Sequence, residues 1–121
     1  MSSFYISEAV QADGSVVLEV GGEIDFEVSP RLRDCLDGHI KAGHAQVMLD
    51  LSEARFIDST AIGVLAVCAT RLRRSGEGLL VVVCPVENRK IMRIFEIAGL
   101  ESAVDLYPSR EDALVELAGA C

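Results

Sequence analysis

The 121-residue chain sets eleven Lys and Arg against nineteen Asp and Glu, a formal charge of −8, and half of its residues are apolar. A chain of this length encloses one hydrophobic core and leaves nothing for a second lobe, so a single domain over residues 1–121 is expected. The acid excess argues against direct nucleic-acid binding, which draws on clustered Lys and Arg, and the densest basic run, Arg71, Arg73 and Arg74, reads as a helix end meeting its own dipole.

Residues 4–10 and 16–20, separated by Ala12-Asp13-Gly14-Ser15, have the β-branched content and Asp-Gly punctuation of a hairpin, and Gly21-Gly22 is expected to break its second strand. Ser29-Pro30 then supplies an N-cap and a first-turn proline for a helix in which Leu32, Cys35, Leu36 and Ile40 recur at helical spacing, with Gly43 marking its end. Residues 47–51 form an apolar run suited to a buried strand, residues 52–57 read as a loop, and an apolar segment of helical length begins at Asp58-Ser59-Thr60. Residues 79–83 are β-branched and stop short of Pro85, as a buried strand should. Residues 87–98 follow as a helix with an inner stripe of Ile91, Ile94, Phe95 and Ala98, closed by Gly99 as a left-handed cap with Leu100 as its apolar contact. Residues 103–106 are expected as a last short strand. Ser109 with Asp112 resembles a capping box with Asp in place of Glu, opening a helix that turns Leu114, Leu117 and Ala118 to the sheet. Strands alternating with helices after an opening hairpin predict an α/β domain, a mixed sheet with about four helices packed against it.

The apolar stretches at residues 61–69 and 78–86 are each about half of a membrane span, so no membrane insertion is expected. Residues 1–8 lack a basic start, an apolar core and a cleavage site, and the cytoplasm is the expected location. Cys35, Cys68, Cys84 and Cys121 are scattered, with no C-x-x-C pair and only His39 and His44 as imidazole partners. Reduced, mostly buried thiols are expected rather than a disulfide framework or a zinc site, and Cys121 is given no role.

Enzyme chemistry finds little support. No GxxxxGK[ST] loop is present, so no ATP site is expected, and no G-x-S-x-G elbow accompanies the two histidines. Asp25 and Asp58 are a conceivable acid-base pair, but both fall beside element ends, where acids commonly cap backbone amides. What remains is Phe56-Ile57-Asp58-Ser59-Thr60-Ala61-Ile62-Gly63, a strand-to-helix corner with two hydroxyls at a helix start. Free amides and partial positive charge there favour an anion by about 0.3 to 2 kcal/mol, so a phosphate on Ser59 or Thr60 would leave the helix folded. The plainer reading is that Asp58, Ser59 or Thr60 only caps the helix, and residue types leave both open. The helix is apolar nearly all round: Ile62, Leu65, Ala66, Ala69 and Leu72 form one stripe, with Val64, Val67 and Cys68 off it. Burial on every side is the plainer expectation, and a face offered to a partner is the alternative. Gly63 in the first turn costs about 1 kcal/mol against alanine, which close approach of another backbone would explain.

Taken in order, Gly21-Gly22-Glu23-Ile24-Asp25, Ser29-Pro30-Arg31-Leu32, Val47-Met48-Leu49-Asp50-Leu51 and the Phe56-to-Gly63 corner resemble the anti-sigma-factor antagonists of the STAS family, and Ala98-Gly99-Leu100 and the helix start at Ser109 extend the likeness over nearly the whole chain. The resemblance implies a single STAS domain that acts by partner switching: the unphosphorylated form binds an anti-sigma factor, itself a serine kinase, and frees the sigma factor. The kinase then phosphorylates the antagonist and a serine phosphatase resets it. By position Ser59 is the phosphoacceptor, Asp25, Asp58 and Thr60 are its neighbours, and Ala61, Gly63, Val64 and Val67 are the expected partner contacts. No cofactor is expected in this chain, since ATP and magnesium belong to the kinase. Ala61 departs from the glycine usual in the family, and its methyl bears on how closely a kinase approaches. The alternative is a STAS adaptor subunit of a lipid-transport or sensory complex, without phosphorylation. An enzyme would have to rest on Asp25, Asp58 and Ser59 alone.

Overall fold

The computed structural model describes residues 3–76, 78–99 and 104–119. The chain opens with β1 (Tyr5–Val10) and β2 (Val16–Ile24), paired antiparallel from Tyr5 opposite Gly21 to Val10 opposite Val16. Asp13 fixes the turn between them by accepting from both the amide and the hydroxyl of Ser15, at 2.9 and 2.6 Å.

The expected break at Gly21-Gly22 does not occur. β2 runs on to Ile24 and changes partner at the glycines: residues 16–19 pair in parallel with β3 (Gln46–Asp50), and residues 22–24 pair in parallel with β4 (Ala54–Ile57), with a register shift after Gly22. The glycines are required by crowding rather than by chain reversal. A Cβ on Gly21 would collide with the Tyr5 ring, and Gly22 has a φ of +82° with the Ser3 carbonyl against it. β4 likewise replaces the expected loop at residues 52–57. It is four residues long with only its ends buried, too brief for periodicity to register.

Helix α1 (Ser29–Lys41) connects β2 to β3, α2 (Ser59–Arg74) connects β4 to β5 (Leu79–Val83), and α3 (Arg89–Ala98) leads to β6 (Asp105–Tyr107) and α4 (Arg110–Gly119). The sheet order is β1-β2-β3-β5-β6 with β4 on β2, parallel throughout except for the opening hairpin. This is the expected mixed sheet with four helices. Residue 103, Leu100 and Cys121 lie outside the described residues, as does the Ala98 side chain, while Gly99 caps α3 with a φ of +69° as predicted. No described helix is long and apolar enough to cross a membrane.

Alternation along the central strands divides the interior in two. Val47, Leu49, Leu80 and Val82 join Val16, Leu18 and Val20 beneath α1, α2 and α3, whose Leu32, Leu36, Ile62, Leu65, Ile91 and Phe95 complete the main core. Met48, Val81 and Val83 point the other way, onto Ala113 and Leu117 of α4. Leu114, expected on that stripe, is half exposed, and the Ala118 side chain is outside the described set; the small Ala113 takes the inner position, where it lets the helix lie close to the sheet. Ser109 does cap α4, its hydroxyl accepting from the Asp112 amide at 3.2 Å. The shorter Asp side chain answers by accepting from the Ser109 hydroxyl rather than from its backbone amide.

A polar clamp holds the same helix start. Arg110 donates through Nε to Asp50 at the end of β3 and through a terminal nitrogen to Glu19 on β2 at 3.0 Å. Burial pushes the Asp50 carboxyl up, but bonds from Ser52 and Arg110 outweigh it and hold the group below the usual carboxylate range.

Candidate functional site: the paired helix starts

Parallel pairing puts Ile24 opposite Ile57, both fully buried, so β2 and β4 end together at one edge of the sheet. The Asp58 amide donates to the Ile24 carbonyl at 3.2 Å, and the chain leaves the sheet at Asp25 and Asp58 side by side. Each carboxylate then binds backbone amides, Asp58 at the start of a helix and Asp25 in the turn ahead of one.

Asp58 is the N-cap of α2. Its backbone is extended, its Oδ1 accepts from the Ala61 amide at 3.0 Å, and its carbonyl accepts from Ile62 at 3.1 Å. Of the three residues left open as the cap, the aspartate does the work, and Ser59 and Thr60 occupy the first two helical positions, exposed to solvent. Asp25 instead caps a turn: its Oδ1 accepts from the Glu27 and Val28 amides at 3.0 and 3.3 Å. Ser29, expected as the N-cap of α1, is already inside the helix and 3% exposed, its hydroxyl donating to the Phe26 carbonyl at 3.1 Å. The cap position belongs to Val28, whose apolar side chain makes no cap bond, while Asp25 takes the Glu27 and Val28 amides just ahead of the helix.

Helix α2 is not covered on every side, so of the two readings left open the plainer one, full burial, gives way to an open face. Ala61, Ile62, Leu65, Cys68, Ala69 and Leu72 are buried, Gly63, Val64 and Ala66 are half-buried, and Val67 is 60% exposed. Cys68 thus lies within the buried stripe and Ala66 at its margin. Gly63, Val64 and Val67 share the open side, whereas Ala61, grouped with them from the sequence, has its methyl wholly inside the core. That open side forms one wall of a groove of about 370 Å³, with Arg33 and Asp37 of α1 opposite and Arg71 at the end. Asp37 spans the helices there, bound by Arg71 at 2.6 Å and by Lys41 at 3.0 Å, and those two bonds hold its carboxyl below the usual range. A Cβ on Gly63 would meet nothing within 4 Å, so among the described residues none explains the glycine. Helical spacing aligns Ser59 with Gly63, and Thr60 with Val64 and Val67, so hydroxyls and groove form one strip.

Phe26, 65% exposed beside Asp25, also lies at this edge and was missed from the sequence, where the one signal was an aromatic that fits no hydrophobic period. The histidines are elsewhere: His39, near the other end of α1, bonds Glu8 and His44, so the structure brings no imidazole to Ser59. Burial pushes the Cys84 thiol up to about 11, and burial followed by the Glu8 contact pushes Cys35 up to about 12; neither is a ready nucleophile.

Comparison with known proteins agrees with this architecture. Residues 7–113 match the STAS domain family. The chain is 27% identical over 105 residues to the anti-sigma F factor antagonist of Paenibacillus polymyxa, covering 86% of this chain and 87% of the relative. It is 30% identical over 87 residues to the anti-sigma-B factor antagonist of Listeria monocytogenes, covering 72% and 74%. The crystal structure of an anti-sigma factor antagonist from Mycobacterium paratuberculosis superposes with a TM-score of 0.83 at 27% identity, over 95% of this chain and 94% of that one. The hairpin-led mixed sheet and these matches together establish that the chain belongs to the STAS domain family.

Proposed function

We propose that this chain is an anti-sigma-factor antagonist: unphosphorylated, it docks an anti-sigma factor on the strip from Ser59 to Val67 and so frees a sigma factor, and phosphorylation of Ser59 by that factor, a serine kinase, ends the association. A serine phosphatase resets the protein, and the cycle runs in the cytoplasm. The observation that carries the reading is the division of labour at the α2 start. Asp58 makes the cap bond, so the Ser59 hydroxyl is exposed and uncommitted beside an open apolar groove. The names of the relatives supply the class of partner.

The physics of the switch follows. A phosphate brings about −1.5 to −2 charges to a contact surface that already holds Asp58. Like charges closed into an interface cost several kcal/mol, and even about 3 kcal/mol weakens binding by roughly two decades. The fold survives, because the helix start favours an anion. Asp58 and Asp25 serve as caps that fix the corner, and Ala61 anchors it from within. ATP and magnesium enter with the kinase; this chain acts as regulator and substrate.

Incubation with ATP, magnesium and an anti-sigma-factor kinase from the same genome tests the reading by mass spectrometry. A gain of one phosphoryl group mapped to Ser59, absent in Ser59→Ala, is expected. A protein that binds such a partner without any mass gain would instead be a STAS adaptor.

A further inference from the structure

The two histidines absent from the Ser59 corner meet at the opposite end of α1. Cys35 and His39 are four residues apart and so project from one side of that helix, toward Glu8 on β1. His39 Nε2 lies 2.6 Å from Glu8 Oε1, and His39 Nδ1 lies 3.0 Å from Nδ1 of His44, just beyond the helix. One ligand atom from each of Glu8, Cys35 and His39 falls within 4.8 Å of the others. The His39 side chain is only 12% exposed while that of Glu8 is 53% exposed, so the cluster has a buried wall and an opening to solvent.

We infer that Glu8, Cys35 and His39 form a binding site for a divalent cation of the zinc class, with His44 orienting His39 and a water completing a tetrahedron. Three features carry this. A thiolate, an imidazole and a carboxylate with one open position is a donor set suited to zinc, and a poor one for magnesium or calcium, which prefer oxygen alone. Tetrahedral zinc places its donors roughly 3.4 to 3.8 Å apart, so the 2.6 Å His39–Glu8 contact opens to admit the ion while the Cys35 sulfur closes on it, adjustments that rotation of the Glu8 and Cys35 side chains supplies. The His39–His44 contact is the third. With the metal on Nε2, the remaining ring proton of His39 sits on Nδ1 and donates to His44, the outer bond that commonly fixes a metal-bound imidazole. On binding, the thiol proton of Cys35 and any proton between His39 Nε2 and Glu8 leave to solvent, and three protein-to-metal bonds take their place. Sequence spacing alone hides the site, since Glu8 and His39 are 31 residues apart.

The test uses the full chain with Cys121→Ser, stripped with a chelator and titrated with zinc chloride by calorimetry and with cobalt chloride by absorbance. One equivalent of zinc should bind and raise the Tm by several degrees, and cobalt should give intense tetrahedral bands with a thiolate-to-metal charge-transfer band. Cys35→Ser should abolish that band, Glu8→Gln should weaken zinc at least about tenfold, and His44→Asn should weaken it about tenfold while the charge-transfer band remains. Circular dichroism of the metal-free variants separates lost ligands from lost folding. No zinc binding to the stripped chain, a cobalt spectrum without the thiolate band, or an affinity unchanged in Cys35→Ser and Glu8→Gln would overturn the site.

Discussion

Two helices of this domain begin at the same sheet edge with the same residue types, and they use them in opposite ways. At α1 the aspartate caps a turn and the serine four residues past it is packed away, 3% exposed and bonded to the Phe26 carbonyl. At α2 the aspartate is the cap itself, and the serine beside it stands in solvent. The difference is one of spacing. Asp25 is separated from its serine by a three-residue turn that folds Ser29 under the chain, whereas Asp58 adjoins Ser59 and leaves it on the first helical position, where side chains point out from the end of the sheet. A hydroxyl becomes a candidate for modification by being left out of the capping bond, not by being near it.

The largest expected effect comes from forcing the same charge on both serines. Ser29→Asp places a carboxylate against the Phe26 carbonyl with no donor to offer it, and should cost about 3 kcal/mol of stability in urea titration. Ser59→Asp should stay within about 0.5 kcal/mol of wild type, since the site is exposed and the helix dipole favours the charge. Equal tolerance at the two positions would erase the contrast.

The third helix start, that of α4, extends the comparison to a charged clamp. Asp50→Asn weakens both the Arg110 and Ser52 bonds and should cost about 2 kcal/mol near neutral pH. Because the folded protein holds the Asp50 carboxyl below its unfolded range, this stabilisation is present in full above that range and is lost as the pH falls through the lower, folded value. Asp50→Asn should therefore flatten the acid limb of stability against pH. Unfolding titrations from about pH 7 to pH 3 read both effects.

Smaller effects separate cap from hydroxyl on α2. Asp58→Ala should lower stability by about 1 kcal/mol through the lost Ala61 bond, while Ser59→Ala should leave it unchanged, as thermal denaturation will show. Smallest is Gly63→Ala. Its methyl meets open space, so the free protein should gain about 0.5 to 1 kcal/mol from helix propensity, yet the same methyl enters the groove and should weaken docking of the anti-sigma factor.

Much of the fold was legible because its strands and helices are long enough to carry a period. Residues 79–83 and the αL cap at Gly99 fall where the sequence puts them, and the Asp58 corner is a helix start as predicted. The misreadings share one cause, contacts made from a distance. Gly21 and Gly22 look like a break until Tyr5 and Ser3 are seen pressing on them, and Ser29 looks like a cap until its hydroxyl is seen turned back to the Phe26 carbonyl. Ala113 replaces Leu114 because proximity to the sheet favours the small side chain. For the candidate site, residue types located the hydroxyl but not its exposure, grouped Ala61 with surface residues although it is buried, and gave no account of Phe26.

The most direct test is the affinity of an anti-sigma factor from the same genome for wild type and Ser59→Asp, measured by calorimetry beside the Tm of each protein. Roughly hundredfold weaker binding at an unchanged Tm is predicted, corresponding to about 3 kcal/mol. Equal affinity of the two proteins would contradict a switch at Ser59.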